Sequence, residues 1–172
     1  MLSRRVMNTM TGTMAANHIY ATLLSYPDKL GGMGILPFIH NTALVPGDDH
    51  SHRLSLPEPL ANCANFVPMF GNKTTASNFF VLSTLMYEVQ RIHNEYRDFD
   101  QIAKLAAVQA LVMYSILLSS EKERCLDLCI LLVISIAEIV ANLQEIASSS
   151  DSEQPEEYTD WGKWIYLESK RR

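Results

Sequence analysis

Two carboxylates and two histidines fall within five residues at Asp48 to His52, DDHSH. Carboxylate and imidazole groups of this kind bind divalent metals. With His40 close by in the chain, they would also be the raw material of a hydrolytic site, in which His40, His50 or His52 works with Asp48 or Asp49. The spacing does not build such a site. No HExxH or CxxC is present to place ligands on one helix face or one turn, and the stretch reads as a solvated loop. The cysteines Cys63, Cys125 and Cys129 make no paired framework. Cys125 and Cys129 lie one helical turn apart and read as reduced, buried thiols. His93 lies near the edge of an apolar stripe with no nucleophile close in sequence, and reads as a partly exposed surface histidine. There is no GxSxG and no P-loop, and GGMG at Gly31 to Gly34 has neither the spacing nor the preceding strand of a dinucleotide loop. No catalytic, cofactor-binding, metal-ligating or DNA-binding residue is therefore assigned. No cofactor is expected, and the chain reads as a non-enzyme.

The elements that would position any site are helical. Ile102 to Leu118, IAKLAAVQALVMYSILL, has no Pro or Gly and is interrupted only by Lys104, Gln109, Tyr114 and Ser115. Ala and Leu favour helix, and a helix apolar on all sides is a central, buried one. Leu111 and Val112 are accordingly expected in the core. Asp98 or Asp100 can cap this helix. After the polar link Ser119 to Arg124, a second apolar stretch, Cys125 to Ile146, completes an αα-hairpin. Its polar residues Asp127, Ser135, Glu138, Asn142 and Glu145 follow helical spacing, so it is expected to meet water along that one line and bury the rest. Thr74 to Phe99 is an amphipathic helix whose buried stripe is Leu82, Leu85, Met86, Val89, Ile92 and Tyr96. Glu88, Arg91 and Glu95 are spaced for i,i+3 and i,i+4 pairing on another face. Leu56 to Phe70 is a shorter helix, with Pro57 or Pro59 in its first turn and Pro68 ending or kinking it. Ala15 to Ser25 is a short helix stopped by Pro27, and Asp28 to Gly47 is irregular.

The fold expected is all-α, an irregular helical domain with a central buried αα-hairpin. Residues 1–14 read as a loose leader and 15–172 as one helical regulatory domain. Within it, 148–160 is an acidic linker and 161–172 is the start of a further helix, anchored by Trp161, Trp164, Ile165 and Leu167. The chain has 172 residues with 48% hydrophobic and 19% charged, enough for one domain with a core. A net charge of −5 opposes a nucleic-acid-binding module, because phosphate must be neutralised by Lys and Arg. The N-terminus is too polar for a signal peptide. A membrane hairpin is the alternative for the two apolar stretches. Against it stand the short apolar run after Leu105 and the charges of Asp127 and Glu138, which are costly in lipid.

Several short pieces occur in a fixed order: SYP at Ser25 to Pro27, LPFIH at Leu36 to His40, LPEPLANC at Leu56 to Cys63, MF at Met69 and Phe70, AAVQALVMYSI at Ala106 to Ile116, and WGKWIYLESKRR at Trp161 to Arg172. Together they resemble the C-terminal regulatory region of fungal zinc-cluster transcription factors, particularly those of secondary-metabolite clusters. The resemblance covers nearly the whole chain, and its specificity lies in the ordered set rather than in any one piece. It implies a helical region associated with transcription regulation, a nuclear location with a cytoplasmic one as the alternative, and no catalytic residues at the matched positions. Three departures limit it. The family reads DNA through a separate module with six cysteines around two zinc ions, and nothing in this chain matches that module, so neither zinc nor DNA contact carries over. Leu36 stands where the family often has a second Pro, and the family's helical region usually continues past the Arg-Arg run. The chain is thus expected to be a truncated or split relative.

Two functional readings follow. In the first, the chain is an interaction domain that works through a protein partner or self-association, without specific DNA binding of its own and without a membrane. An apolar face left uncovered on the central hairpin should then make the isolated chain self-associate or need a partner. In the second, it responds to a small molecule held in a pocket lined by Met86, Met113 and Tyr114.

Overall fold

The computed structural model describes residues 9–32, 36, 39, 45–46, 54–121 and 125–150. They form an all-α fold with five helices: α1 (Thr9–Gly31), α2 (Glu58–Gly71), α3 (Asn78–Glu95), α4 (Gln101–Ser119) and α5 (Leu126–Ser150). A 3-10 turn, Tyr96–Asp98, leads from α3 towards α4. A two-residue antiparallel pairing, β1 (Val45–Pro46) with β2 (Leu54–Ser55), lies between α1 and α2.

α4 is the centre. It packs against α1, α2, α3 and α5, and it buries Ala106, Ala107, Ala110, Leu111, Met113 and Tyr114. The three alanines lack bulk, which lets neighbouring backbones come close. Asp100 is the cap: its Oδ1 accepts from the Ala103 amide at 2.7 Å, holding one of the helix's unpaired donors. Val112 departs from expectation. It is 39% exposed while its neighbour Leu111 is fully buried, because a 100° step carries adjacent residues to different sides of a helix.

α3 buries Val81, Leu85, Val89 and Ile92, followed by Tyr96 in the 3-10 turn. Leu85, Val89, Ile92 and Tyr96 are residues of the expected stripe; Val81 is not among those expected, and the expected Leu82 and Met86 are half-buried at its edge. The helix starts at Asn78 rather than at Thr74, with Ser77 as its N-cap residue, because Thr74 and Ser77 close a turn on each other. The Thr74 amide donates to Ser77 Oγ at 2.8 Å, and the Ser77 amide to Thr74 O at 3.1 Å.

Prolines mark the main local differences. α1 begins before Ala15, inside the stretch expected to be a leader, and runs through Pro27 to Gly31. Pro27 is buried, and the C-terminal part of α1 lies against α2 and α4; this packing outweighs the hydrogen bond the proline removes. A Cβ on Gly31 would stand 3.1 Å from Val67 Cγ1, so glycine allows the close crossing of α1 and α2. Pro57 is the N-cap position of α2, with Pro59 inside its first turn. Pro68 does not end the helix at once; α2 continues to Gly71, where the Asn72 side chain donates to Pro68 O at 2.9 Å.

α4 and α5 form the expected αα-hairpin, but only α4 is enclosed. Half of an apolar window on α4 is buried, against 22% of the matching window on α5. The line of α5 that meets the core is Leu128, Leu132, Ser135 and Ile139. Its apolar residues Leu126, Ile130, Val133 and Ile134 are exposed. The expected arrangement, polar line outward and apolar remainder inward, is therefore corrected: the polar line lies at the border, and an apolar face meets solvent. α5 also reaches Ser150, into the stretch expected to be a linker; the rest of that linker and residues 161–172 lie outside the described residues. Both hairpin helices are long and apolar enough to cross a membrane by length and composition, a test that core helices also pass.

Candidate functional site

Where α2 and α3 lean on α4 they leave a cleft of about 350 Å³, lined by Asn62, Asn65, Phe66, Met69, Glu88 and Tyr114 among others. Its floor is set by packing. Tyr114 is fully buried and meets the Phe66 ring edge-on, at 5.7 Å between centroids. This is a favourable arrangement of two ring quadrupoles. Cys63 Sγ donates to the Ala110 carbonyl at 3.9 Å. Burial pushes the Cys63 thiol up to about 12, against a smaller pull from the Tyr114 hydroxyl and with help from the Glu88 carboxylate. Burial likewise raises Tyr114 above the ordinary tyrosine range, with Cys63 and Glu88 adding to it. The Tyr114 hydroxyl has no hydrogen bond of good geometry, and the Cys63 thiol is the polar side chain that acts on it most.

These two groups stay protonated in the fold, so alkaline pH should weaken it. An unfolded thiol ionises near 9.0. Between there and about 12 the unfolded chain has lost a proton that the native one keeps, and stability falls as pH rises. Melting followed across that range should show the wild type losing stability faster than Cys63→Ala. A constant gap between the two would show that Cys63 is not held as described.

The wall of the cleft is an ion-pair network. Arg91 spans Glu88 with two bonds, Nε to Oε2 at 2.9 Å and Nη2 to Oε1 at 2.8 Å. Arg91 also reaches Glu95 at 2.8 Å on its own helix and Glu58 of α2 at 2.7 Å. The Asn62 amide donates to Glu58 at 2.6 Å and to Glu88 at 3.2 Å. The carboxylates raise Arg91 further above its usual range, the hydrogen bonds with Glu88 first. Spacing predicted the pairs on α3. It could not show Glu58 and Asn62, which come from another helix.

A second polar group joins α3 to α5. Ser135 Oγ lies 3.1 Å from His93 Nδ1 and donates its one proton to Leu131 O at 2.7 Å. It must then accept from His93, which places a proton on Nδ1. Glu138 stands 4.0 Å from the same nitrogen and accepts from Tyr96 Oη at 3.3 Å. Serine, histidine and carboxylate together invite comparison with a catalytic triad. In a triad the imidazole uses one nitrogen for the nucleophile and the other for the acid. Here both groups address Nδ1, and Ser135 is fully buried. The set is a polar latch between two helices.

The residues that prompted chemical readings are not gathered into one place. Asp48, Asp49, His50, His52 and His40 lie outside the described residues. Among the described residues, no group of three or more His, Cys, Asp or Glu side chains is set to hold a metal. Of the pocket residues expected, Tyr114 lines the cleft, Met113 is fully buried and Met86 is half-buried outside the lining. His93 is partly exposed, as expected, with a side chain 29% accessible.

The remaining candidate surface is the outer face of α5. Leu126, Ile130, Val133, Ile134, Ala137 and Ala141 are exposed along it. At about 100° per residue they fall within one side of the helix, and Asp127, Glu138 and Glu145 line up along one edge, about 60 to 80° from Ile130. α5 carries no Lys, Arg or His, so the charges it contributes to this edge are all acidic, with His93 of α3 standing beside Glu138.

No family model matches the chain, and comparison with curated proteins and with solved structures finds no match. The likeness to zinc-cluster regulators therefore rests on the ordered sequence pieces. In the fold, SYP lies within α1, LPEPLANC leads into α2, MF is in α2, and AAVQALVMYSI is the body of α4. Leu36 and Ile39 of LPFIH are buried, and WGKWIYLESKRR lies outside the described residues.

Proposed function

We propose that the chain is a helical interaction domain associated with transcription regulation, acting through a protein partner or through self-association. The observation that carries this is the outer face of α5. Exposed apolar faces of this extent on a folded helix mark interaction surfaces. The ordered resemblance to regulatory regions supplies the biological setting, including a nuclear location. Contact through protein rather than lipid is supported by the Ser135, His93 and Glu138 latch. It places polar groups midway along α5, where a bilayer interior would make them costly.

The test is a reporter assay in a fungal host. The full chain is joined to an unrelated DNA-binding module with sites upstream of the reporter. Output should change relative to the module alone, and Ile130→Glu with Val133→Glu should abolish the change without loss of helix content. Output equal to that of the module alone would overturn the reading.

The cleft over Tyr114 favours a second reading, response to a small molecule. Its volume lies in the range of ligand sites, and Phe66, Met69 and Tyr114 give it an apolar lining beside the polar Asn62 and Asn65.

A further inference from the structure

The cleft over Tyr114 has an apolar floor and a wall whose spare hydrogen-bonding capacity runs one way. We propose that it binds a small protonated amine with an apolar or aromatic body, the body resting on Phe66, Met69 and Tyr114 and the ammonium against Glu88. The idea rests on the reading of the cleft as a small-molecule site and adds the class of molecule.

The first observation is an account of donors and acceptors. The Asn62 amide nitrogen donates to Glu58 at 2.6 Å and to Glu88 at 3.2 Å, which leaves the carbonyl oxygen of that side chain as an acceptor. Thr84 gives its one proton to the Phe80 carbonyl at 2.9 Å, so towards the cleft its hydroxyl only accepts. Glu88 accepts from Arg91 at both oxygens and from Asn62 at Oε1. A carboxylate offers about four lone-pair positions, so Oε2 keeps one to spare. Asn65, exposed at the rim, offers both kinds of group. The Tyr114 hydroxyl lies buried beneath, against the Cys63 thiol. A ligand that satisfies this wall has to bring donors.

The second observation is charge. Glu58, Glu88 and Glu95 share the one guanidinium of Arg91, an excess of two negative charges. Among the described residues no Lys or Arg lines the cleft. Low-dielectric walls focus such a field and draw cations in.

The third is that the fold already holds a cation in this way. In the neighbouring cleft, against α1, the Lys73 ammonium stands 3.7 Å from the centre of the Phe70 ring and 2.6 Å from Glu121. An aromatic face and a carboxylate together retain it. Over Tyr114 the same two kinds of group meet, with Phe66 as the aromatic and Glu88 as the carboxylate. The ammonium is the missing member.

The Met69 methyl group lies in the cleft and reports on it. In the full chain labelled with 13C-methyl methionine, its signal is assigned by its loss in Met69→Leu. The probes are phenethylamine, 2-phenylethanol and phenylacetate, similar in shape and cationic, neutral and anionic at neutral pH. Phenethylamine should shift the Met69 signal to saturation, with an affinity about tenfold or more above that of 2-phenylethanol. Ammonium chloride at the same concentration should leave the signal in place. Glu88→Gln should remove the preference for amine over alcohol and leave the affinity for the alcohol unchanged, a split that a general loss of structure does not produce. The comparison of probes on the wild type needs no variant.

Equal affinity for amine and alcohol, or a preference for phenylacetate, would overturn the proposal and leave the cleft a small-molecule site of another class. A signal moved as far by ammonium chloride would overturn it too, because the aromatic floor would then take no part. A Met69 signal that none of the probes moves at millimolar concentration would end the proposal and the small-molecule reading together.

Discussion

Replacing Leu111 by aspartate is expected to unfold the domain. Leu111 is fully buried in the helix that every other helix touches. Losing the leucine alone costs about 2–5 kcal/mol. A carboxylate without a partner adds desolvation on the order of several kcal/mol more. A domain's whole stability is only about 5–15 kcal/mol, so the two together exhaust most of it. The adjacent Val112→Asp is the control. At 39% exposure, its carboxylate can reach water, and the change should stay under about 1 kcal/mol. Thermal melting by circular dichroism should lose its cooperative transition for Leu111→Asp and keep it for Val112→Asp. Equal behaviour of the two variants would mean that α4 is rotated from the position described.

Arg91→Ala should be the most damaging change outside the apolar core. Arg91 and Glu88 have side chains only 19% and 15% accessible, and the bond between them is double. Without the guanidinium, Glu88 keeps a single amide contact from Asn62, at 3.2 Å. Breaking a fully buried pair costs about 3–5 kcal/mol. Partial access to solvent lowers this to about 2 kcal/mol, still well above the cost at an ordinary surface pair. Arg91→Lys keeps the charge but not the fork, and should fall in between. Adding Glu88→Gln to Arg91→Ala should recover part of the loss, because no unpaired charge is then left behind. Urea titrations in which Arg91→Ala unfolds at the wild-type midpoint would remove the network from any account of how α2 is held to α3.

Some of this architecture was legible in the residues, and the reasons for the exceptions differ. α4 announced itself by an apolar run with an aspartate before it, because both signals are local. α3 did so by its stripe, and its i,i+3 and i,i+4 pairs followed from helix geometry alone. Pro27 misled because the proline rule is local, while the packing that overrides it comes from α2 and α4. The misreading of α5 is of another kind. Its periodicity was correctly seen, but a polar stripe on a mostly apolar helix does not say whether it faces water or a neighbour. Ser135 is buried because His93, 42 residues away in the chain, is there to receive it. Glu58 and Asn62 joined the Arg91 network through the same kind of cross-helix register, which no spacing within one helix encodes. The cleft, too, depends on how α2 lies across the alanines of α4.

The placement of α1 has a consequence for how the molecule comes apart. Residues 13–21 are exposed throughout, whereas Pro27 and Leu30 further along the same helix are buried. Unwinding that begins at Thr9 gives up backbone hydrogen bonds but little apolar contact, until it nears the turns against α2 and α4. Amides in the outer turns should therefore exchange with solvent through local fraying, while those of α4 must wait for global opening. One continuous helix thus contains two regimes of protection, and the boundary between them falls close to the proline.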